Sequence, residues 1–237
     1  FWSYYDKGEH VIMLCSRVNK IWQKPVKFVH SRDGYDGNPF FSADWSKLVF
    51  HSARGGKRLD GKPDIQFWYL KRKNDGWTGA KRLNILPSKG QWAMYGSQSN
   101  KGHLYFTSKA IIDSKEFQLH MARFNGKTWE TAKPLSEKFN SSAINWTPFV
   151  DPDERYLIFS SDRKKSGSDF HACDLYISVK NDRGEWEEPK CLGPEINSEQ
   201  IERFPWVSPD GKYLFFVRGF GDIFWVSTGV LNCFLLH

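Results

Sequence analysis

A recurring base and a pair of carboxylates are the residues of this chain whose types and spacing invite chemistry. Arg54, Lys109, Arg163 and Arg218 each close an apolar run, and they recur at similar intervals. A guanidinium grips a carboxylate through two parallel N–H donors, so bases gathered on one axis would hold an anion. The competing reading is structural: each base pairs with Glu202, Asp36 or Asp162 and serves the fold. Asp36 and Glu202 open matching segments. Two carboxylates on either side of a glycosidic bond are the machinery of a glycosidase, but nothing in the spacing fixes their separation.

Aromatic and amide groups accompany these charges. The segments Asp36-Gly37-Asn38, Ala93-Met94-Tyr95, Asn145-Trp146-Thr147 and Glu202-Arg203-Phe204 align with one another, and Trp92 lies just upstream of the second. Aromatic faces beside a few polar groups suit sugars and small polar ligands. The bland alternative is that the rings cap a core and the polar groups meet solvent. The candidate ligand site is therefore Asp36, Asn38, Trp92, Tyr95, Asn145, Trp146, Glu202 and Phe204, backed by Arg54, Arg163 and Arg218. No catalytic residue is assigned.

Other chemistry finds little purchase. The seven His show no HxH or HxxxH pattern, and Cys15, Cys173, Cys191 and Cys233 contain no CxxC pair. His51 and His120 read as packed or surface side chains. His171, near Asp169, Asp174 and Cys173, is the one local gathering of metal-binding types; no metal and no other cofactor is expected. No phosphate-cradling glycine loop and no G-x-S-x-G turn is present. Cys173 and Cys191 flank one hairpin, where a cross-strand disulfide and two free thiols are both open.

What must position these groups is a repeat. Trp22, Trp77, Trp129 and Trp186 are spaced by 55, 52 and 57 residues, and Phe50, Phe106, Phe159 and Phe216 by 56, 53 and 57. Before each Phe run stands a turn: Ser42-Ala43-Asp44-Trp45, Ser99-Asn100-Lys101-Gly102, Asp151-Pro152-Asp153-Glu154 and Ser208-Pro209-Asp210-Gly211. Pro presets φ for a turn and Gly accepts positive φ. Each unit thus reads as strand a, turn, strand b, then a third strand such as Asp174–Ser178 or Asp222–Val226, then a fourth through the Trp. Four short strands per repeat of this length make a propeller blade. A β-sandwich would have no reason to repeat both landmarks at one period.

The run Ser208-Pro209-Asp210-Gly211-Lys212-Tyr213-Leu214-Phe215-Phe216 followed by Asp222-Ile223-Phe224-Trp225 resembles the repeat of TolB-like, WD-like bacterial propellers. So does Tyr156-Leu157-Ile158-Phe159-Ser160-Ser161-Asp162-Arg163, with Asp174-Leu175-Tyr176 and Leu192-Gly193-Pro194-Glu195-Ile196-Asn197-Ser198. The resemblance covers nearly the whole chain. It implies an all-β propeller whose strand a lines a central channel, and a periplasmic or secreted location. Repeat three departs most: Glu116 stands where other repeats have Asp, and Gly96 where they have Pro39, Pro148 and Pro205.

The expected organisation is one domain over residues 1–237, built of four-stranded blades at about 1–30 (partial), 36–87, 92–138, 144–197 and 201–237 (partial). That gives five blades with the first inner strand missing, six being the alternative. The Phe anchor of the first blade would precede Phe1, and the chain reads as a fragment, with no signal-peptide pattern.

The formal charge of +7 favours anionic partners, yet opposite charges are interleaved. The triplets Lys71-Arg72-Lys73 and Arg163-Lys164-Lys165 read as solvated loops. No apolar run nears the length of about 20 residues that spans a bilayer. The leading expectation is a non-catalytic binding or scaffold propeller that takes an oligosaccharide, small polar ligand or protein at the channel mouth. The alternative is a lyase or glycosidase acting on acidic sugars. Nucleic-acid binding rests only on net charge and scattered aromatics, and is the weakest of the three.

Overall fold

Short apolar runs bounded by turn residues form antiparallel strands, and in a computed structural model every strand pairing is antiparallel. The structure describes residues 2–6, 9–28, 30, 35–58, 61–74, 76–86, 91–109, 116–163, 173–219 and 221–235. The first segment gives β1 (Trp2–Asp6), β2 (Glu9–Leu14), β3 (Arg17–Val18), β4 (Ile21–Trp22) and β5 (Val26–Lys27); β1-β2-β5 form a sheet and β3-β4 a small ribbon. Next come β6 (Gly37–Phe41), β7 (Lys47–Ser52), β8 (Gln66–Lys73), β9 (Gly76–Trp77) and β10 (Lys81–Arg82), ordered β6-β7-β8-β10 with β9 on β8. Two four-stranded sheets follow in simple order: β11 (Trp92–Gln98), β12 (Leu104–Lys109), β13 (Phe117–Ala122), β14 (Lys133–Pro134), then β15 (Asn145–Val150), β16 (Tyr156–Ser161), β17 (Asp174–Val179), β18 (Lys190–Cys191). The last sheet is β19 (Glu202–Val207), β20 (Tyr213–Arg218) and β21 (Asp222–Ser227), followed by a 3-10 turn and the one-turn helix α1 (Asn232–Leu235).

The sheets are arranged as a β-propeller in which four blades are made out. Its inner strands β6, β11, β15 and β19 pack against one another in succession. Five or six blades are not made out; as expected for the first, partial blade, its sheet has no strand in the inner position among the described residues. Its β1 occupies the place of strand b: Ser3 lies opposite Ile12 as Thr107 lies opposite Leu119. The same register puts Trp2 in the slot of the Phe anchors, which the sequence had placed before Phe1.

The anchors do what the period requires. Phe50, Phe106, Phe159 and Phe216 are all at most 2% exposed. Burying a Phe ring of this kind stabilises a fold by about 3–5 kcal/mol relative to Ala. The turns repeat too. Trp45, Gly102, Glu154 and Gly211 each donate a backbone N–H to the carbonyl of the residue three before, and each has positive φ: 55, 82, 60 and 71°. At Glu154 the left-handed conformation is offset by contacts. Its Oε1 accepts from Ser99 Oγ at 2.9 Å, His103 Nδ1 at 2.8 Å and Tyr105 Oη at 3.2 Å, while Oε2 faces Lys180 Nζ at 2.9 Å and Lys101 Nζ at 3.4 Å. One buried carboxylate thus ties the third sheet to the fourth, and these donors hold its pKa down at about 2 against burial, which would raise it.

A third feature recurs on the inner strands. Each of β6, β11, β15 and β19 breaks register once, between Gly37 and Phe40, Met94 and Ser97, Trp146 and Phe149, and Arg203 and Trp206. At each break one residue other than Gly takes positive φ: Asn38 at 47°, Tyr95 at 54°, Thr147 at 48° and Phe204 at 54°. Such bulges bend a strand and re-aim its side chains. Gly96, the departure from Pro in repeat three, leaves space: a Cβ there would lie 2.9 Å from the rings of Phe40 and Phe67.

Candidate functional site

The arginines at the sheet ends form one motif. Arg54 donates from Nε to Ser52 Oγ (3.0 Å) and from Nη2 to the carbonyl of His30 (3.1 Å), with its guanidinium over Phe50 and Trp68. Arg163 repeats this with Ser161 Oγ (3.2 Å), the carbonyl of Phe139 (2.9 Å), and the rings of Phe159 and Tyr176. Arg218 uses Glu202 Oε1 (2.9 Å), the carbonyl of Ile196 (2.7 Å), and the rings of Phe216 and Phe224. Each pins the linker entering its own sheet onto that sheet's Phe anchor. The bases do not share one slot, as the sequence spacing suggested. Arg54 and Arg163 stand four residues beyond their anchors, Lys109 three and Arg218 two. Among the described residues Lys109 makes no such pin; its ammonium lies 5.5 Å from the Trp92 ring and 4.9 Å from Phe117. Burial, then the charges of Lys62 and Arg58, lower its pKa.

The expected carboxylates are likewise engaged inside the protein. Asp36, fully buried, pairs with Arg54 at 2.5 Å. Glu202, also fully buried, accepts from Arg218 and from Ser198 Oγ (2.6 Å). Asn145 holds the equivalent place in β15 and is closed off by Ser161 Oγ (2.8 Å) and by Ser142. These three candidates hold strand ends together.

Other candidates do converge. The bulges bring Tyr95 against Phe204 (ring centroids 5.3 Å) and Trp146 (5.9 Å), and Trp146 against Phe204 (6.4 Å). Trp92 joins the same apolar cluster beside Met94, with Arg58 over its ring at 4.7 Å. Asn38 sits half-buried at the first bulge, its backbone N–H donated to Ser3 Oγ.

Two residues the sequence reading did not select complete this inner cluster. His51, buried on β7, meets Tyr95 edge-on at 5.6 Å and has a buried Nδ1 with no hydrogen-bond partner among the described residues. Desolvation, helped by the charge of His10, drives its pKa down to about 3, so the imidazole is neutral. Arg203, half-buried on β19, lies over the Phe204 ring at 5.5 Å, and its buried Nε has no partner among the described residues. Burial raises the pKa of Tyr95, and the charge of Arg203 opposes that shift. A signal was available in the sequence: Arg203 fills an inner-strand slot that elsewhere holds Gly37, Met94 and Trp146.

Cys173 and Cys191 are free thiols. Cys191 lies opposite Tyr176, three residues along β17 from Cys173, so the two do not face each other. Burial pushes the Cys173 thiol up to about 12. Among the described residues no three metal-binding side chains gather; His171 and Asp169 lie outside them. No helix among the described residues is long and apolar enough to cross a membrane.

Inner strands that converge on one axis, each opening an antiparallel sheet, define a β-propeller. Within that class the fold is that of a TolB-like propeller. The chain is similar to TolB from Acinetobacter baumannii, with 18% identity and a TM-score of 0.60 over 95% of this chain and 48% of that one. It is similar also to a variant of the NanB sialidase from Streptococcus pneumoniae (12% identity, TM-score 0.54, 93% of this chain and 36% of that one). A gluconolactonase from Xanthomonas campestris gives 10% identity and a TM-score of 0.51 over 92% of this chain and 66% of that one. The chain therefore spans about half the length of the TolB it matches. At these identities the likeness is one of fold. No family model and no curated protein matches the sequence.

Proposed function

We propose that the chain is a non-catalytic binding propeller that takes its ligand at the axial end of the inner strands, among Tyr95, Trp146, Phe204, His51 and Arg203. The ligand is a carbohydrate, a small polar molecule or a segment of a protein partner. One observation carries this reading: both carboxylates suited to glycosidic chemistry, Asp36 and Glu202, are bound up in buried ion pairs with Arg54 and Arg218, while aromatic faces and polar groups gather at the bulges. A pair held this way has no free carboxyl to act as acid or nucleophile. On this reading the sheet of β1, β2 and β5 is the remainder of a fifth blade, the chain is a single domain, and its compartment is the periplasm or the cell exterior. The fold itself serves binding proteins and enzymes alike.

A calorimetric screen against neutral and acidic oligosaccharides, with release of reducing ends followed in the same samples, tests it. Binding without turnover is expected. Turnover abolished by Asp36→Asn or Glu202→Gln in folded protein would replace this reading with that of a carbohydrate-active enzyme.

A further inference from the structure

Resting on the axial binding reading, we infer that Arg203 is the selectivity residue of the site and that the ligand it selects is an acidic saccharide, its carboxylate held by the guanidinium and its ring faces by Tyr95, Trp146 and Phe204. The first observation is one of commitment. Arg54, Arg163 and Arg218 each place their donors on a carbonyl and on a hydroxyl or carboxylate. Among the described residues Arg203 places none; its contacts there are the Phe204 ring and the field it exerts on Tyr95. A half-buried guanidinium whose Nε is out of water and unpaired carries a desolvation penalty that a bidentate carboxylate would relieve.

The second observation is the company it keeps. Three aromatic rings from three successive inner strands lie within 6.4 Å of one another, centre to centre, with Arg203 over the ring of Phe204. The imidazole of His51 is neutral, and the acids of the neighbouring strand ends, Asp36 and Glu202, are neutralised by their own arginines. The Arg203 guanidinium is therefore the cation at the Phe204 end of these rings, while Arg58 and Lys109 lie against Trp92, another side chain of the same apolar cluster. A cation beside flat ring faces matches a uronic-acid type of sugar better than a peptide end. Capture of a chain-terminal carboxylate draws on free backbone N–H groups, and three of the four bulge amides are already donated: Asn38 to Ser3 Oγ, Thr147 to Thr107 Oγ1 (2.9 Å) and Phe204 to Thr147 Oγ1 (3.3 Å).

The experiment compares trigalacturonate with its methyl ester, which keeps the sugar and blocks the charge, by calorimetry on the whole chain. The acid is expected to bind about ten- to a hundred-fold more tightly than the ester, the scale of a charge-assisted hydrogen bond. Arg203→Ala is expected to bring acid and ester to equal affinity, and Arg203→Lys to keep part of the preference. Near-ultraviolet circular dichroism confirms that each variant is folded, and the Lys variant decides the matter if the Ala variant is not. An acid no tighter than its ester, or a preference that survives Arg203→Ala, overturns the assignment while leaving the axial binding reading in place. Tighter binding of a tripeptide with a free carboxylate than of trigalacturonate overturns the saccharide class. Absence of binding by acid and ester alike removes the saccharide under both readings.

Discussion

Arg218 and Arg203 leave neighbouring strands of one sheet and meet opposite fates. Arg218 sits at the sheet end, over the anchor Phe216, with a carboxylate and a carbonyl as partners. Arg203, at the inner bulge, has an aromatic face and no hydrogen-bonded partner among the described residues. The first arrangement recurs at Arg54 and Arg163; the second occurs once. Repetition of a contact in unit after unit marks what every blade needs to fold. A departure at a point where several blades converge marks where one face of the assembly can differ from the next.

The comparison breaks if the pins prove dispensable, and the largest effect tests it first. Arg218→Ala leaves Glu202 buried without its cation. A loss of about 3–5 kcal/mol is expected, seen as a lower urea midpoint, with saccharide affinity unchanged once folded protein is selected. Arg163→Ala removes donors to Phe139 and Ser161 and the cover over two rings. It should lose about 1.5–3 kcal/mol and likewise leave binding alone; weakened binding at unaltered stability would return Arg163 to the site.

Acid sharpens the contrast between the inner cluster and the inter-sheet tie. His51 has a folded pKa of about 3 against an ordinary 6.5, so the unfolded chain takes up the proton first. Stability should fall as pH drops from about 6.5 toward 3. Glu154, at about 2 against 4.5, adds its own loss only below about 4.5, as its carboxylate is protonated. His51→Thr, the residue type at the matching place of β12, should reduce the slope of urea midpoints between pH 7 and 5, with His10 and His120, whose pKa values burial also lowers, keeping the remainder, and should leave the lower limb intact. An unchanged slope would show that the imidazole is not held neutral. The smallest effect belongs to Lys109, the base that pins nothing among the described residues. Lys109→Ala should shift stability by no more than about 0.5 kcal/mol, whereas a loss on the Arg163 scale would mean that it has a structural partner after all.

Much of the frame was legible in the residues because it repeats. The Phe anchors, the turns at Asp151-Pro152 and Ser208-Pro209, and the inner segments ahead of Pro39, Pro148 and Pro205 carry the same chemistry at one period, and the structure gives them the same backbone. The sheet at the start was misphased by the same logic: by backbone register the anchor position falls at residue 2, a Trp, and a search for Phe passes over it. The site was harder. Asp36, Asn145 and Glu202 look like ligand groups, yet their fate depends on what stands across the sheet. Ser161 opposes Asn145 and Arg218 opposes Glu202, pairings that follow from a register no single segment encodes. His51 read as a packed or surface side chain, and it is packed. Its meaning comes from Tyr95, which the bulge brings to it from the next sheet.

The arginine pins have a bearing on how such a chain can be assembled over time. Each closes over a short stretch of its own repeat: 24 residues from Arg54 to His30, 24 from Arg163 to Phe139 and 22 from Arg218 to Ile196. The lock and the linker it secures therefore travel together in one stretch of coding sequence. A unit copied or deleted with its linker would bring or remove its whole fastening and leave none half-made in its neighbour. Ancestry by duplication could then alter the number of sheets without redesigning any of them, while the inner faces drift apart one repeat at a time.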